Sequence, residues 1–273
     1  MKRIEKFYLF HVIRRNIYYF IIRVIRRFQR VFYLKKEHKF LFLLSPPYCG
    51  STMLNQLLSS SKHVSCNNNL GTREGQLLPK IKKIMFDSDR WDNAVKYPWD
   101  EIKQTWMKYW DFSKTIFLEK STPNIIRTDE IDIVFSPAYY ICFVRNPYAQ
   151  VEGIMRRNKQ DASTAAEFAI QCLEYQKKNK SRNNTLYFSY EELCDNPEEI
   201  VLKLKRFLPE LNDINYQIKF TSHNFKSSKA MRMVNLNQEK INKISNDDLK
   251  IINSVFCRRK DLLESFNYRI IEK

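Results

Sequence analysis

Glycine is scarce in this chain, four residues in 273. No low-complexity glycine tract exists, and a glycine inside a motif carries more information than usual. Histidine is equally rare, and the six cysteines (Cys49, Cys66, Cys142, Cys172, Cys194 and Cys257) include no CxxC pair. Metal-ligand spacing is therefore absent, and no metal site is expected. Several cysteines sit in apolar runs such as Tyr139–Val144 (YYICFV). That placement reads as buried free thiols in a reducing, cytoplasmic setting. Acidic residues are the minority charge, 30 against 47 Lys and Arg, for a net of +17. Residues 1–39 hold twelve Lys or Arg against Glu5 and Glu37, a net of +10, so most of the surplus lies at one end. No RNP, zinc-finger or helix-turn-helix signature accompanies it, and nucleic acid is not an expected partner.

Long uncharged runs are missing as well. Within residues 7–34 a stretch such as Asn16–Ile22 is far short of the roughly 20 residues needed to span a bilayer. Arg14, Arg15 and Arg23 also interrupt any signal-peptide core. On a helical wheel Phe10, Ile13, Ile17, Phe20, Ile21, Val24, Phe28 and Val31 share one face, with Arg15, Arg23, Arg26, Arg27 and Arg30 opposite. Residues 1–37 thus read as a basic amphipathic helix. Two placements fit it: peripheral contact with a membrane through residues 7–34, or packing of the apolar face on the protein's own core.

Residues 38–273 read as a single domain, built of short apolar runs alternating with helical stretches. Phe40–Leu44, Thr115–Leu118, Tyr139–Val144 and Thr185–Phe188 read as buried parallel strands. Helices are expected near 51–60, 74–87, 99–110, 147–158, 162–179, 196–207 and 246–265. The fold class is α/β: a P-loop-like three-layer arrangement with a central, mostly parallel sheet flanked by helices.

Two loops carry the chemistry. The first strand runs into Ser45-Pro46-Pro47-Tyr48-Cys49-Gly50-Ser51-Thr52 and then the helical MLNQLL. A strand, a glycine turn and a helix N-terminus make an anion site, since backbone N–H groups and the helix dipole face the ligand. No lysine precedes Ser51, so the nucleotide-triphosphatase pattern GxxxxGK[ST] is absent. The second loop is YYICFVRNPYAQVEGIMRR, in which Arg145 ends a buried strand and Pro147 opens a helix. An arginine directly after a buried strand needs an anion or solvent, and guanidinium groups fork onto phosphate or sulfate. Both loops fall at strand C-terminal ends, where open α/β sheets bind ligands.

In these features the chain resembles the sulfotransferases that use 3′-phosphoadenosine 5′-phosphosulfate (PAPS), over about residues 40–265. Pro47–Thr52 (PYCGST) takes the place of the family's 5′-phosphosulfate loop, and Arg145-Asn146-Pro147 that of its 3′-phosphate motif. Tyr190-Glu191-Glu192-Leu193 with Asp195-Asn196-Pro197 matches the downstream YExL segment, and DLLESFNY up to Tyr268 the C-terminal helix pattern. The likeness is closer to the tyrosylprotein and carbohydrate types than to the cytosolic phenol type. Glu74-Gly75-Gln76-Leu77 resembles the segment holding the tyrosylprotein enzymes' catalytic glutamate, while the strand end Lys120-Ser121-Thr122-Pro123 lacks the phenol type's histidine.

The resemblance implies a sulfuryl transfer from PAPS, without a metal, to an acceptor hydroxyl or amine on a carbohydrate, lipid, peptide or small molecule. It assigns Glu74 as base, Lys120 as the cation near the transferring group and Ser228, or Ser227, as a hydroxyl near the sulfate. The loop residues Pro47, Tyr48, Cys49, Gly50, Ser51 and Thr52 would bind the cofactor with Arg145, Gly153, Arg157, Tyr190 and Arg232. Two positions depart from the family pattern. Tyr48 stands where a Lys or Arg usually steadies the leaving phosphate, and Gly153 stands where a serine usually follows the 3′-phosphate arginine. A P-loop kinase and a catalytically impaired nucleotide-binding, membrane-associated protein are the competing readings. Residues 85–112 and 210–245 are the expected walls of the acceptor cleft. The aromatic stretch WDEIKQTWMKYW suits either a ligand surface or a packed helix.

Overall fold

A computed structural model describes residues 2–33, 35–220 and 232–272, with side chains from Val12 onward. In chain order the elements are α1 (Lys2–Phe32), β1 (Lys39–Leu44), α2 (Ser51–Leu58), β2 (Val64–Cys66), α3 (Trp99–Trp106), β3 (Ile116–Glu119), α4 (Thr128–Val134), β4 (Ala138–Val144), α5 (Pro147–Asn158), α6 (Ala162–Asn179), β5 (Thr185–Ser189), α7 (Tyr190–Asp195), α8 (Pro197–Phe207), α9 (Asn237–Ile241), α10 (Asn246–Cys257) and α11 (Lys260–Glu264).

The five strands form one parallel sheet in the order β2-β3-β1-β4-β5. Helices cover both faces, which explains why the strands are apolar at successive positions rather than alternately. On β1, Phe40, Phe42 and Leu44 enter an aromatic layer with Trp99, Trp106 and Trp110. Leu41 and Leu43 point the other way, into a layer with Leu54, Leu57 and Leu58 of α2 and Leu204 of α8. A third cluster joins α5, α6, α10 and α11. The tryptophans of WDEIKQTWMKYW are therefore core residues: Trp106 and Trp110 are fully buried, and their rings meet at 6.0 Å.

The sheet order sets the site. From β1 the chain passes to one side of the sheet, to β2 and β3, and from β4 to the other, to β5. The loops after β1 and β4 therefore open onto a topological switch point. Gln176 of α6 fastens the two strand ends together, donating to the Leu44 carbonyl at 2.8 Å and the Phe143 carbonyl at 3.1 Å.

Two sequence expectations change. The segment 74–87 is not one helix but a single 3-10 turn at Gly75–Leu77 and a wide i→i+5 turn at Lys82–Phe86. Pro79 drives Leu78 out of helical geometry to ψ 149, and Lys80 follows at φ +73. The stretch 246–265 is likewise two helices, because Arg259 leaves the helical region between α10 and α11. The edge strand β2 is a further element, three residues long and held by β3.

Candidate active site

The loop after β1 is held by local strain and close packing. Tyr48 and Gly50 both take left-handed backbone, at φ +66 and +90. Gly50 is the N-cap of α2, and a Cβ there would lie 2.8 Å from the Tyr190 ring. Only glycine fits this turn, so the loop can lie flat against Tyr190. A non-glycine residue such as Tyr48 in this region costs about 1–2 kcal/mol and persists where the surroundings over-determine it. Cys49 is fully buried beneath the loop, and burial pushes its thiol up to about 12. It acts as packing rather than as a nucleophile.

Arg145 lies across the loop. Its guanidinium stacks 4.0 Å from the Tyr190 ring centre, donates to Asn237 Oδ1 at 2.6 Å and to the Tyr48 carbonyl at 3.3 Å. The Nη2 nitrogen is buried and has no protein partner. An orphaned guanidinium nitrogen in a nearly buried arginine is the signature of an anion subsite. Glu191 supports the arrangement from behind, accepting from the Asn146 amide at 2.8 Å, the Tyr268 hydroxyl at 3.0 Å and the Asn237 side chain. Tyr190 is fixed through its hydroxyl, which donates to the Val234 carbonyl at 2.8 Å. Burial raises that phenol to about 12, so it remains a neutral donor.

Lys240 of α9 joins this cluster, and no sequence motif points to it. Its ammonium stands 3.6 Å from Glu152 Oε2, and a Cβ on Gly153 would lie 3.4 Å from it. Burial first, and the Arg145 charge second, lower its pKa to about 8. A second cation crowded against Arg145 strengthens the case for an anion at this end. Arg157, exposed near the end of α5, exerts its charge on the Tyr48 phenol. Tyr48 itself reaches along α5 to bond Asn158, so its ring occupies the space over Gly153.

At the opposite side of the loop, Lys120 follows β3. It is almost fully buried and donates to Glu74 Oε1 at 3.1 Å, the Thr72 carbonyl at 2.8 Å and Thr52 Oγ1 at 3.4 Å. Gln76 donates to the other Glu74 oxygen. Glu74, Lys120 and Thr52, singled out from three distant motifs, thus form one bonded group.

A second buried carboxylate supports that group. Glu119 accepts from the Gly75 amide at 2.9 Å, the Ser121 amide at 2.9 Å, the Ser121 hydroxyl at 2.6 Å and the Asn124 side chain. Burial raises its pKa despite those bonds. It fixes the backbone on both sides of the Glu74–Lys120 pair and is a positioning residue. The available signal was an acid in the otherwise apolar run IFLE.

Ser227 and Ser228 lie outside the described residues. Arg232 is exposed, two residues before the Val234 that holds Tyr190, and is not drawn into either cluster. Of the segment 85–112, Met85, Trp99, Ile102, Trp106 and Trp110 are core, while residues 87–96 are largely exposed. Within 210–245, residues 221–231 lie outside the described residues.

A glycine turn at the β1/β4 switch point, an arginine with a spare buried nitrogen and a Lys–Glu pair beside Thr52 thus stand together on a P-loop-like α/β fold. A sulfotransferase family model matches residues 41–210, well over half the chain. The protein belongs to the sulfotransferase family, the PAPS-dependent transferases that its motifs resemble. Its structure is similar to the sulfotransferase domain from the curacin biosynthetic pathway, at 16% identity and a TM-score of 0.51, covering 87% of this chain and 100% of that one. The sulfotransferase domain of the Synechococcus PCC 7002 olefin synthase aligns at 17% identity and a TM-score of 0.49, over 87% and 97%. Mouse sulfotransferase SULT7A1, complexed with PAP, aligns at 13% and 0.49, over 83% and 88%. No curated protein matches the chain.

Proposed function

We propose that the site transfers the sulfuryl group of PAPS to an acceptor hydroxyl or amine, with Glu74 as base. The observation that carries this reading is the pairing of Glu74 with Lys120 at 3.1 Å, beside Thr52 at the opening of α2. The acceptor oxygen or nitrogen attacks sulfur as Glu74 takes its proton. The bond from sulfur to the bridging oxygen breaks, and its electron pair leaves on the nucleotide's 5′-phosphate. Both Glu74 oxygens are engaged by Lys120 and Gln76 in this structure. Each carboxylate oxygen has a second lone pair, so Glu74 Oε1 can accept a proton with the Lys120 bond in place. A turn of Lys120 toward the sulfuryl oxygens would couple charge stabilisation to base activation.

Arg145, Lys240 and Arg157 hold the 3′-phosphate, and the Gly50–Thr52 amides hold the 5′-phosphate. Tyr190 lines the nucleotide pocket. Lys240 and Arg157 also answer for the serine that Gly153 replaces, and Lys120 with the loop amides for the cation that Tyr48 replaces. The Glu74–Lys120 pair favours the tyrosylprotein and carbohydrate type over an enzyme with a histidine base.

Calorimetric titration with adenosine 3′,5′-bisphosphate, with ATP and 5′-AMP as controls, tests the nucleotide site. Selective binding that collapses in Arg145→Ala supports it. A preference for ATP would move a kinase ahead. Transfer of label from radioactive PAPS to acceptor pools then tests the chemistry.

A further inference from the structure

The amphipathic helix docks the wrong way round for a core helix. Tyr19 is 5% exposed and sits in the aromatic layer, joined by Tyr18 and Ile22. Its ring meets Tyr109 edge-on at 5.8 Å, and its hydroxyl donates to Asn68 Oδ1 at 3.2 Å. Arg26 pairs with Asp111 at 2.7 Å, and Arg30 lies over the Phe112 ring. These residues recur at helical spacing on one side of α1. The apolar stripe of Ile13, Ile17, Phe20, Val24, Phe28 and Val31 lies roughly 180° away around the helix, facing outward. Phe28 is 66% exposed and Val31 74%. The alternative in which the apolar face packs on the protein's own core is therefore overturned: the tyrosine and arginine side packs instead.

We propose that this outward face is a docking surface for an anionic lipid membrane, with α1 lying in the head-group plane. A continuous apolar stripe on a helix already fixed to its domain by its opposite side remains uncovered by the described chain, and such patches mark interaction sites. Charge selects the occupant. Exposed Arg14 borders the stripe on one flank and exposed Arg23 and Arg27 on the other. The sequence holds no acidic residue between Glu5 and Glu37. A second copy packing its own stripe on this one would bring arginine against arginine, with no acid between Glu5 and Glu37 to answer it. A layer of anionic head groups complements both flanks while the acyl boundary takes the apolar side chains. Among the described residues no helix is long and apolar enough to cross a membrane, so the contact is in-plane. The inference is independent of the sulfuryl-transfer reading.

The test is co-sedimentation of the full chain with vesicles of equal parts phosphatidylserine and phosphatidylcholine, against phosphatidylcholine alone. The expected result is at least ~10-fold tighter binding to the mixed vesicles. The triple variant Phe20→Gln, Val24→Gln, Phe28→Gln should lose that binding. All three side chains are exposed, so its melting temperature should stay at the parent value. Arg23→Gln with Arg27→Gln should weaken binding to the mixed vesicles only. No vesicle binding, or equal binding to both vesicle types, would overturn the proposal. So would a concentration-dependent dimer that the triple variant abolishes, because the occupant would then be a second copy.

Discussion

A Cβ on Gly153 would lie 2.8 Å from Tyr48 Cβ and 3.0 Å from its Cγ. The two departures from the family pattern are therefore one structural unit. The aromatic ring that stands in for the loop cation occupies the volume that a serine on α5 would need. A glycine inside a helix costs about 1 kcal/mol relative to alanine, and Tyr48 is the packing reason it is kept.

Restoring the serine alone should therefore harm the protein. Gly153→Ser is expected to destabilise by about 1–3 kcal/mol through overpacking, read as a fall in melting temperature. Adding Tyr48→Ala should recover most of the loss, a strongly non-additive cycle. Additive effects would mean that the two positions do not share the space.

Glu74→Gln should lower turnover by about 10²–10⁴-fold while adenosine 3′,5′-bisphosphate binding stays near the parent value. The amide keeps the shape but cannot take the acceptor's proton. Parallel loss of binding and turnover would instead assign Glu74 to loop structure.

Arg145→Ala should weaken nucleotide binding at least ~10-fold, the scale of one lost charge-assisted contact. Asn237 loses a partner too, so circular dichroism must accompany the titration. Arg145→Lys should restore the charge but not the fork, and recover only part of the affinity.

Lys240 provides a pH signature. Its pKa of about 8 in the free site means that the ammonium is lost as pH rises through that value. A bound 3′-phosphate favours the charged form, so affinity should fall as pH rises above about 8. Folding carries the opposite sign: the unfolded lysine, near its ordinary 10.5, binds more protons between about 8 and 10.5, and this group's contribution to stability rises across that window. Lys240→Met should flatten the affinity step near pH 8; an unchanged profile would remove Lys240 from the phosphate subsite.

The legibility of these features in the sequence follows their locality. The β1 loop and Arg145 are readable because strand, turn and helix are contiguous, and β4 and all of β1 after Lys39 are unbroken apolar runs. Lys240 is not, because it arrives from a five-residue helix far along the chain and meets Gly153 only in space. β2 is three residues long, with the small polar Ser65 at its centre, and produces no periodic signal. The 74–87 pattern does have helical apolar spacing, but Pro79 imposes its own constraint on Leu78. For α1 the amphipathic pattern is plain and its orientation is not. Hydrophobicity favours packing the apolar face inward, and a few tyrosines with one partly buried ion pair dock the other side.

The inner side of α1 also reaches the chemistry. The Asn68 that accepts from Tyr19 through Oδ1 donates through Nδ2 to the Glu74 carbonyl at 2.8 Å. Two hydrogen bonds thus separate α1 from the backbone of the proposed base. A chain cut back to residue 34 would be more than a detached version of the same enzyme. It would uncover Tyr109 and Phe112, free one side of Asn68 and loosen the turn that aims Glu74. The helix is thus tied by its inner side, through one asparagine, to the backbone of the residue proposed as base.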